Sequence, residues 1–257
     1  MKITLLCENE ASDMVWLAEW GFSAFIEYGD LRVLFDLGYS DVYLRNAAHA
    51  GIDLQSVDVI ALSHFHRDHT RGLKFHPFVE PKTLVMHPRV RTAALKTDDP
   101  AILADFAQIH EILANDFDLR ESAEALEFSP GAFFLGEVPR VTEFEPGCFE
   151  DDPMEDDTAL AFRTEKGAVV ISGCSHAGIC NICEHAKSVT GQPLYAVLGG
   201  FHLLAAENPP VEETIGYFQA EAPEVLLPMH CVDFPTLARF HTTFGSPKHG
   251  AGSVIEL

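Results

Sequence analysis

Three imidazoles and a carboxylate stand within one short stretch, His64-Phe65-His66-Arg67-Asp68-His69. The stretch follows directly on a mostly apolar run, Val57 to Leu62, whose Val and Ile content predicts a buried strand. Such a density of metal-ligand side chains is rare by chance, and its position at a strand end makes a chance cluster of surface histidines the weaker reading. On a turn leaving a strand, His64 and His66 can aim at one ion, and Asp68 and His69 at a second. A mixed nitrogen and oxygen donor set suits zinc first, with manganese or iron as alternatives.

The rest of the chain predicts an α/β pattern around that motif. Ile3 to Cys7 reads as an edge strand. Trp20 to Tyr28 and Leu31 to Phe35 flank Gly29-Asp30, a hairpin signal. Residues 41–50 have helical spacing and stop at Gly51. Leu84 to His87 is a further strand. Thr97-Asp98-Asp99-Pro100 is a helix start, followed by Ile102, Leu103, Phe106, Ile109 and Leu113 at helical spacing. Residues 97–157 are therefore expected to form a helical insertion that covers the site, and 143–157 an acidic, solvated surface loop. Thr158 to Arg163 and Ala168 to Ser172 form a second strand pair. A helix to Lys187, strands Leu194 to Leu198 and Val225 to Leu227, a helix Thr236 to Phe244 and a last strand Ser253 to Leu257 complete the reading.

Polar residues follow several of these strands. Asp36, His176, His202 and His230 each come a few residues after a predicted strand, where sites assemble in α/β proteins. One such histidine would carry little weight. Three of them beside the dense motif point to a single chemistry.

These residues resemble the metallo-β-lactamase superfamily. His-x-His-x-Asp-His after a strand and Phe35-Asp36-Leu37-Gly38 upstream are similar to its first motifs. Ser172-Gly173-Cys174-Ser175-His176-Ala177-Gly178-Ile179, Gly199-Gly200-Phe201-His202-Leu203 and Pro228-Met229-His230-Cys231 resemble the branch named after dihydropterin ribofuranosylaminobenzene phosphate synthase. The resemblance covers nearly the whole chain. It implies an αββα sandwich, taken as one domain over residues 1–257, with one or two divalent metal ions. It also implies that His64 and His66 hold the first metal and that Asp68 and His69 hold the second. His176 would supply the third-motif ligand and His230 the final one, with His202 competing for that last role. Asp36 would orient the ligand loop. Cys174 stands where a bridging Asp is common and could itself touch the metal. Asp157 falls near the place of the family's usual extra His.

The resemblance implies a metal-dependent hydrolase, in which a metal-activated water attacks an ester- or phosphoester-type substrate. Asp68 and His69 would act in catalysis, Asp68 as proton acceptor. Arg71, where Gly is usual, could hold a substrate phosphate or carboxylate, or pair with a nearby acid. One alternative is a bond-forming synthase of pterin cofactor biosynthesis, and another is a non-catalytic metal or ligand sensor. A di-iron protein reacting with oxygen or nitric oxide fits less, because such relatives carry an acidic residue where His66 stands. The expected substrate is a small molecule, phosphorylated or pterin-like. Phe106, Phe117, Phe128, Phe133 and Phe134 could line its pocket or simply pack as core.

Composition removes other classes. The 257 residues carry 17 Lys plus Arg and 39 Asp plus Glu, a net charge of −22, so there is no basic stripe to displace counterions from a nucleic acid. No stretch approaches the roughly 18 apolar residues of a membrane span. The apolar start, Ile3 to Cys7, is too short for a signal-peptide core, and the protein is expected in the cytoplasm. The six cysteines read as free thiols or ligands, and Cys180 and Cys183 as buried thiols on a helix. Of the 13 histidines, His87 is a weaker pocket candidate. His49, His76, His110, His185 and His241 read as surface or packing residues, and His249 is left unassigned.

Overall fold

The computed structural model describes residues 1–92, 97–145, 147–204 and 209–257. Pro146, inside the predicted acidic loop, lies outside the described residues. The chain divides into two compact units, Met1–Ser122 with Gly250–Leu257, and Ala123–His249.

The first unit holds a seven-stranded sheet among the described residues. Its strands are β1 (Lys2–Cys7), β2 (Ser23–Tyr28), β3 (Leu31–Phe35), β4 (Val59–Ala61), β5 (Lys82–Met86), β6 (Phe117–Glu121) and β13 (Val254–Glu256). The spatial order is β13-β1-β2-β3-β4-β5-β6. The β2–β3 hairpin turns at Gly29, whose φ of 59° is the left-handed value such a turn requires. From β3 onward the pairs are parallel. The connections carry helices α1 (Val42–His49), α2 (Arg67–Thr70) and α3 (Pro100–Asp116), as parallel pairing demands. β4 is buried at every position, which explains its continuous apolar sequence. The adjacent carboxyl ends of β3 and β4, paired at Phe35 and Ala61, place Asp36 beside the start of the histidine motif.

Among the described residues the second unit holds a six-stranded sheet of β7 (Leu126–Ser129), β8 (Ala132–Phe134), β9 (Ala159–Thr164), β10 (Gly167–Ser172), β11 (Leu194–Gly200) and β12 (Val225–Met229), ordered β12-β11-β10-β9-β8-β7. β9 and β10 form the expected antiparallel pair. β10, β11 and β12 are parallel, joined through α4 (Ile179–Thr190) and α5 (Val211–Glu221), and α6 (Phe234–Phe244) follows β12. Asp233 caps α6 by accepting from the Thr236 amide, Pro235 sits in its first turn, and Gly245 ends it in the left-handed conformation. The register aligns Ser172 with Gly199 and Gly199 with Pro228, so the segments after these three strands emerge side by side.

The expected helical insertion is different in kind. Among its described residues only 100–116 is helical, β6 extends the first sheet, and β7 and β8 extend the second. The unit boundary falls inside the segment, so it builds no body of its own. Alternating strands such as Asp118 to Glu121 are too short and polar at a sheet edge to be read as strands in isolation. The α5 helix carries few apolar residues and so no clear helical spacing in the sequence. The phenylalanines proposed for a ring pocket divide otherwise. Phe106 and Phe117 belong to the first unit's core and Phe133 to the second's. Phe134 is buried and Phe128 is half-buried.

Candidate functional site

In the first unit, Asp36 organises the histidine loop. It ends β3 in a left-handed conformation, φ 54°, and is fully buried. Its amide donates to the Ala61 carbonyl at 2.9 Å. The Ser63 amide donates to Asp36 Oδ1 at 2.8 Å, and Ser63 Oγ donates to Oδ2 at 2.7 Å. His69 Nδ1 lies 2.7 Å from the same Oδ2. A carboxylate only accepts, so Nδ1 of His69 carries the proton. Ser63 Oγ, having donated to Asp36, accepts from His64 Nδ1 at 2.8 Å. Both rings are thereby set in the tautomer whose Nε2 lone pair is the ligand atom, the arrangement metal-binding histidines use.

The ligand side chains gather around this anchor. The His64 ring lies 4.7 Å from that of His66 and 4.3 Å from that of His69, centroid to centroid. Asp68 Oδ2 is 3.7 Å from His69 Nε2. His64 and His69 are buried, whereas His66 and Asp68 are half-buried. The single turn of α2 supplies the spacing, its start held by the His66 carbonyl, which accepts from the Thr70 amide and hydroxyl, each at 3.0 Å. The following Gly72 packs against β3's exit: a Cβ there would come within 2.0 Å of the Leu37 carbonyl oxygen. The donor set fits a divalent metal in chemistry and in tautomer.

Arg71 is held elsewhere. Its Nε donates to Asp105 Oδ2 at 2.8 Å and its Nη1 to the Tyr39 carbonyl at 3.1 Å, with the guanidinium 4.8 Å from the Tyr39 ring centroid. Arg67 and Lys74 reach the same Asp105 carboxylate. Burial alone would raise the Asp105 pKa, but hydrogen bonds from Lys74, Arg71 and Arg67 hold it well below the carboxylate range. The cluster ties the loop to α3. His87, the weaker pocket candidate, accepts from the Arg89 amide at 3.2 Å and so caps a short helical turn.

In the second unit the segments after β10, β11 and β12 carry Cys174, His176, His202, His230 and Cys231. Ser175, His202 and His230 all take left-handed backbone, with φ of 67°, 50° and 55°. Non-glycine residues adopt this conformation at a cost, and such positions concentrate at functional sites. The His176 and His202 rings are 4.1 Å apart. Cys174 Sγ and Cys231 Sγ are 3.1 Å apart, and the His202 amide donates to Cys231 Sγ at 3.1 Å. Burial alone would raise the Cys231 thiol, but hydrogen bonding with Cys174 and His202 and the nearby His230 bring it well below the usual thiol range.

Asp157 is fully buried and accepts from the Ala177 amide at 2.8 Å, bracing the loop that carries Cys174 and His176. Burial pushes its pKa up to about 7; Asp156 adds to the rise, and the Ala177 amide, Arg140 and His202 oppose it. The acidic segment is therefore not uniformly solvated. Glu143, Glu150, Asp151 and Glu155 are exposed, but Glu145, Asp156 and Asp157 are buried. Glu145 accepts from the Cys180 and Asn181 amides, each at 2.8 Å, at the start of α4. Burial raises its pKa in spite of these bonds. A helix N-terminus can hold a carboxylate that composition assigns to solvent.

A cavity of about 380 Å³ lies within this unit, lined among others by Glu145, Phe149, His176, Phe201, His202 and Pro210. The Phe149 ring meets His176 at 5.0 Å and His202 at 5.7 Å. The aromatic lining thus comes from Phe149 and Phe201, not from the five phenylalanines named from sequence. Cys180 and Cys183 are buried on α4, and burial raises both thiols. Of the remaining histidines, His49 packs on Trp16, His76 pairs with Asp116, and His185 and His241 bond backbone carbonyls. His249 is half-buried, and burial lowers its pKa.

Comparison with known proteins agrees with this architecture. A family model described as the metallo-beta-lactamase superfamily matches residues 21–186. A 7,8-dihydropterin-6-methyl-4-(beta-D-ribofuranosyl)-aminobenzene-5'-phosphate synthase of Methanocaldococcus jannaschii is 30% identical over 285 residues, covering 100% of this chain and 96% of the relative. An uncharacterized protein of the same organism is 31% identical, covering 92% and 93%. The crystal structure of Tm1679, titled a metal-dependent hydrolase of the beta-lactamase superfamily, superposes with a TM-score of 0.81 at 28% identity, covering 100% of this chain and 99% of that one. The zinc-bound PqqB of Methylobacterium extorquens has the same fold, with a TM-score of 0.60 at 14% identity. Among the described residues no helix is long and apolar enough to cross a membrane. This chain belongs to the metallo-β-lactamase superfamily.

Proposed function

We propose that this protein is a metal-dependent hydrolase acting on an ester or phosphoester bond of a small molecule. The observation that carries the reading is the chain of bonds from Asp36 through Ser63 to His64, and from Asp36 to His69, which presents two Nε2 lone pairs beside His66 and Asp68. In the first unit we take His64, His66, Asp68 and His69 as metal ligands, for one or two ions, zinc foremost; in the second unit we take His176 and His230 as metal-ligating side chains. When bound, a divalent ion supplies Lewis acidity, lowering the pKa of water and neutralising charge on a reacting oxygen. The half-buried Asp68 accepts the proton of the attacking nucleophile. Asp36 keeps the His69 Nδ1 proton in place and so keeps Nε2 basic. Arg71, fixed by Asp105 and Tyr39, steadies the loop. The 380 Å³ cavity has the size and mixed lining of a small-molecule pocket.

A second reading, a bond-forming enzyme of pterin cofactor biosynthesis, is favoured by the full-length similarity to the methanogen synthase. One assay separates the two. Chelator-treated protein, reconstituted with zinc or manganese, is offered chromogenic esters and phosphoesters, and separately a phosphorylated aryl substrate with a dihydropterin acceptor. Metal-dependent release of the alcohol or phosphate supports the hydrolase. A coupled pterin product without net hydrolysis overturns it in favour of the synthase. Full activity in metal-free protein overturns both.

A further inference from the structure

The second unit brings two thiols and an imidazole together at the ends of neighbouring strands. We propose that Cys174, His202 and Cys231 form a thiolate-rich binding site for a single zinc ion. The two sulfurs are 3.1 Å apart, and Cys174 Sγ is 3.8 Å from His202 Nδ1. All three ligand atoms lie within 4.8 Å of one another. Zinc bonds of about 2.3 Å to sulfur and about 2.0–2.1 Å to nitrogen would separate tetrahedral donors by roughly 3.5–3.8 Å. The sulfur–nitrogen spacing already meets that value, and the sulfur pair needs to open by roughly 0.7 Å. Two thiolates and one imidazole form a soft donor set that favours zinc over calcium or magnesium.

The surroundings are built for this approach. β11 runs between β10 and β12, so a side chain at its end would come between the two cysteines. Gly200 stands there: a Cβ on it would come within 2.8 Å of Cys231 Sγ and 3.0 Å of the Cys174 Cα. The left-handed backbone of His202 turns its amide onto Cys231 Sγ, a hydrogen bond that favours the thiolate. Zinc binding releases the two thiol protons to solvent. His202 also lines the 380 Å³ cavity, which gives the ion a path of entry and the fourth position a place for water or a ligand. The assignment takes His202 out of competition with His230, and it stands independently of the reaction proposed above.

The test loads reduced, chelator-stripped protein with several equivalents of cobalt(II) as a spectroscopic probe. The expected result is a thiolate-to-cobalt charge-transfer band in the near ultraviolet. Cys174→Ser and Cys231→Ser each remove most of it, His202→Ala weakens cobalt binding about tenfold at this band, and His66→Ala leaves the band in place. Zinc K-edge absorption on the unmutated zinc-loaded protein keeps the test independent of variants that fail to fold, and a sulfur shell near 2.3 Å is expected. Absence of both the band and the sulfur shell overturns the proposal. So does a band that survives the Cys174→Ser/Cys231→Ser double variant.

Discussion

The two units solve the same topological problem with different donor chemistry. In each, an antiparallel strand pair leads into parallel strands whose carboxyl ends emerge together. In the first unit that end carries imidazole and carboxylate. In the second it carries thiol and imidazole. Each loop is braced by a buried aspartate, but the two differ in what they hold. Asp36 accepts from an amide, a hydroxyl and an imidazole. Asp157 accepts from the Ala177 amide and sits beside Asp156. Burial pushes the Asp157 carboxyl up to about 7, against the pull of the Ala177 amide. Parallel-strand topology thus decides where a site assembles, and local hydrogen bonding decides what it can bind.

Substitutions that separate the two aspartates break or sharpen this comparison. The largest expected effect is at Asp36. Asp36→Ala strands three buried donors and should destabilise the protein by about 3–5 kcal/mol, measured by denaturant unfolding. The gentler Asp36→Asn should lower metal affinity by about 10–100-fold, measured by competition with a chromogenic chelator. Unchanged affinity would show that the loop does not need its anchor. Next, Asp105→Ala leaves Arg67, Arg71 and Lys74 facing one another and should cost about 2 kcal/mol.

The pH dependence of Asp105 and Asp157 has opposite signs. The folded pKa of Asp105 lies below its unfolded value, so its contribution is present above the unfolded pKa and fades as pH falls through the folded one. The folded pKa of Asp157 is raised to about 7, so its contribution is present below the unfolded pKa and is lost as pH rises through 7. In chelator-treated protein, Asp157→Asn should flatten the fall in melting temperature between about pH 4 and 7, the window between the unfolded and folded pKa values. Asp105→Asn should flatten the acid limb instead. An unaltered profile in Asp157→Asn would place its proton elsewhere. The smallest effect is expected at Phe149, which is half-buried: Phe149→Ala should change stability by under about 1 kcal/mol. It should still weaken small-molecule binding in the cavity, read as a rise in KM.

The histidine motif, the hairpin around Gly29, the helix start at Asp99-Pro100 and most of the parallel strands were legible from sequence because each rests on local information: turn residues, capping and apolar runs. Asp36 was legible as an orienting residue only through the family resemblance. Arg71 was ambiguous because a guanidinium has the same sequence signature whether it meets a substrate or a buried carboxylate. The acidic segment misled, since helix α4's free amides, which take up Glu145, are not visible in composition. The edge strands β6 and β7 and the three-residue β8 are too short to be marked in the sequence.

The sequence by itself determined the donor atoms and their attachment to strand ends, because residue type and periodicity are local properties. Only the tertiary structure decided which donors meet. The register of β10, β11 and β12 brings Cys174, His202 and Cys231 together from positions as far as 57 residues apart. That pairing, like the imidazole tautomers set by Asp36 and Ser63, depends on long-range backbone alignment that no short motif encodes.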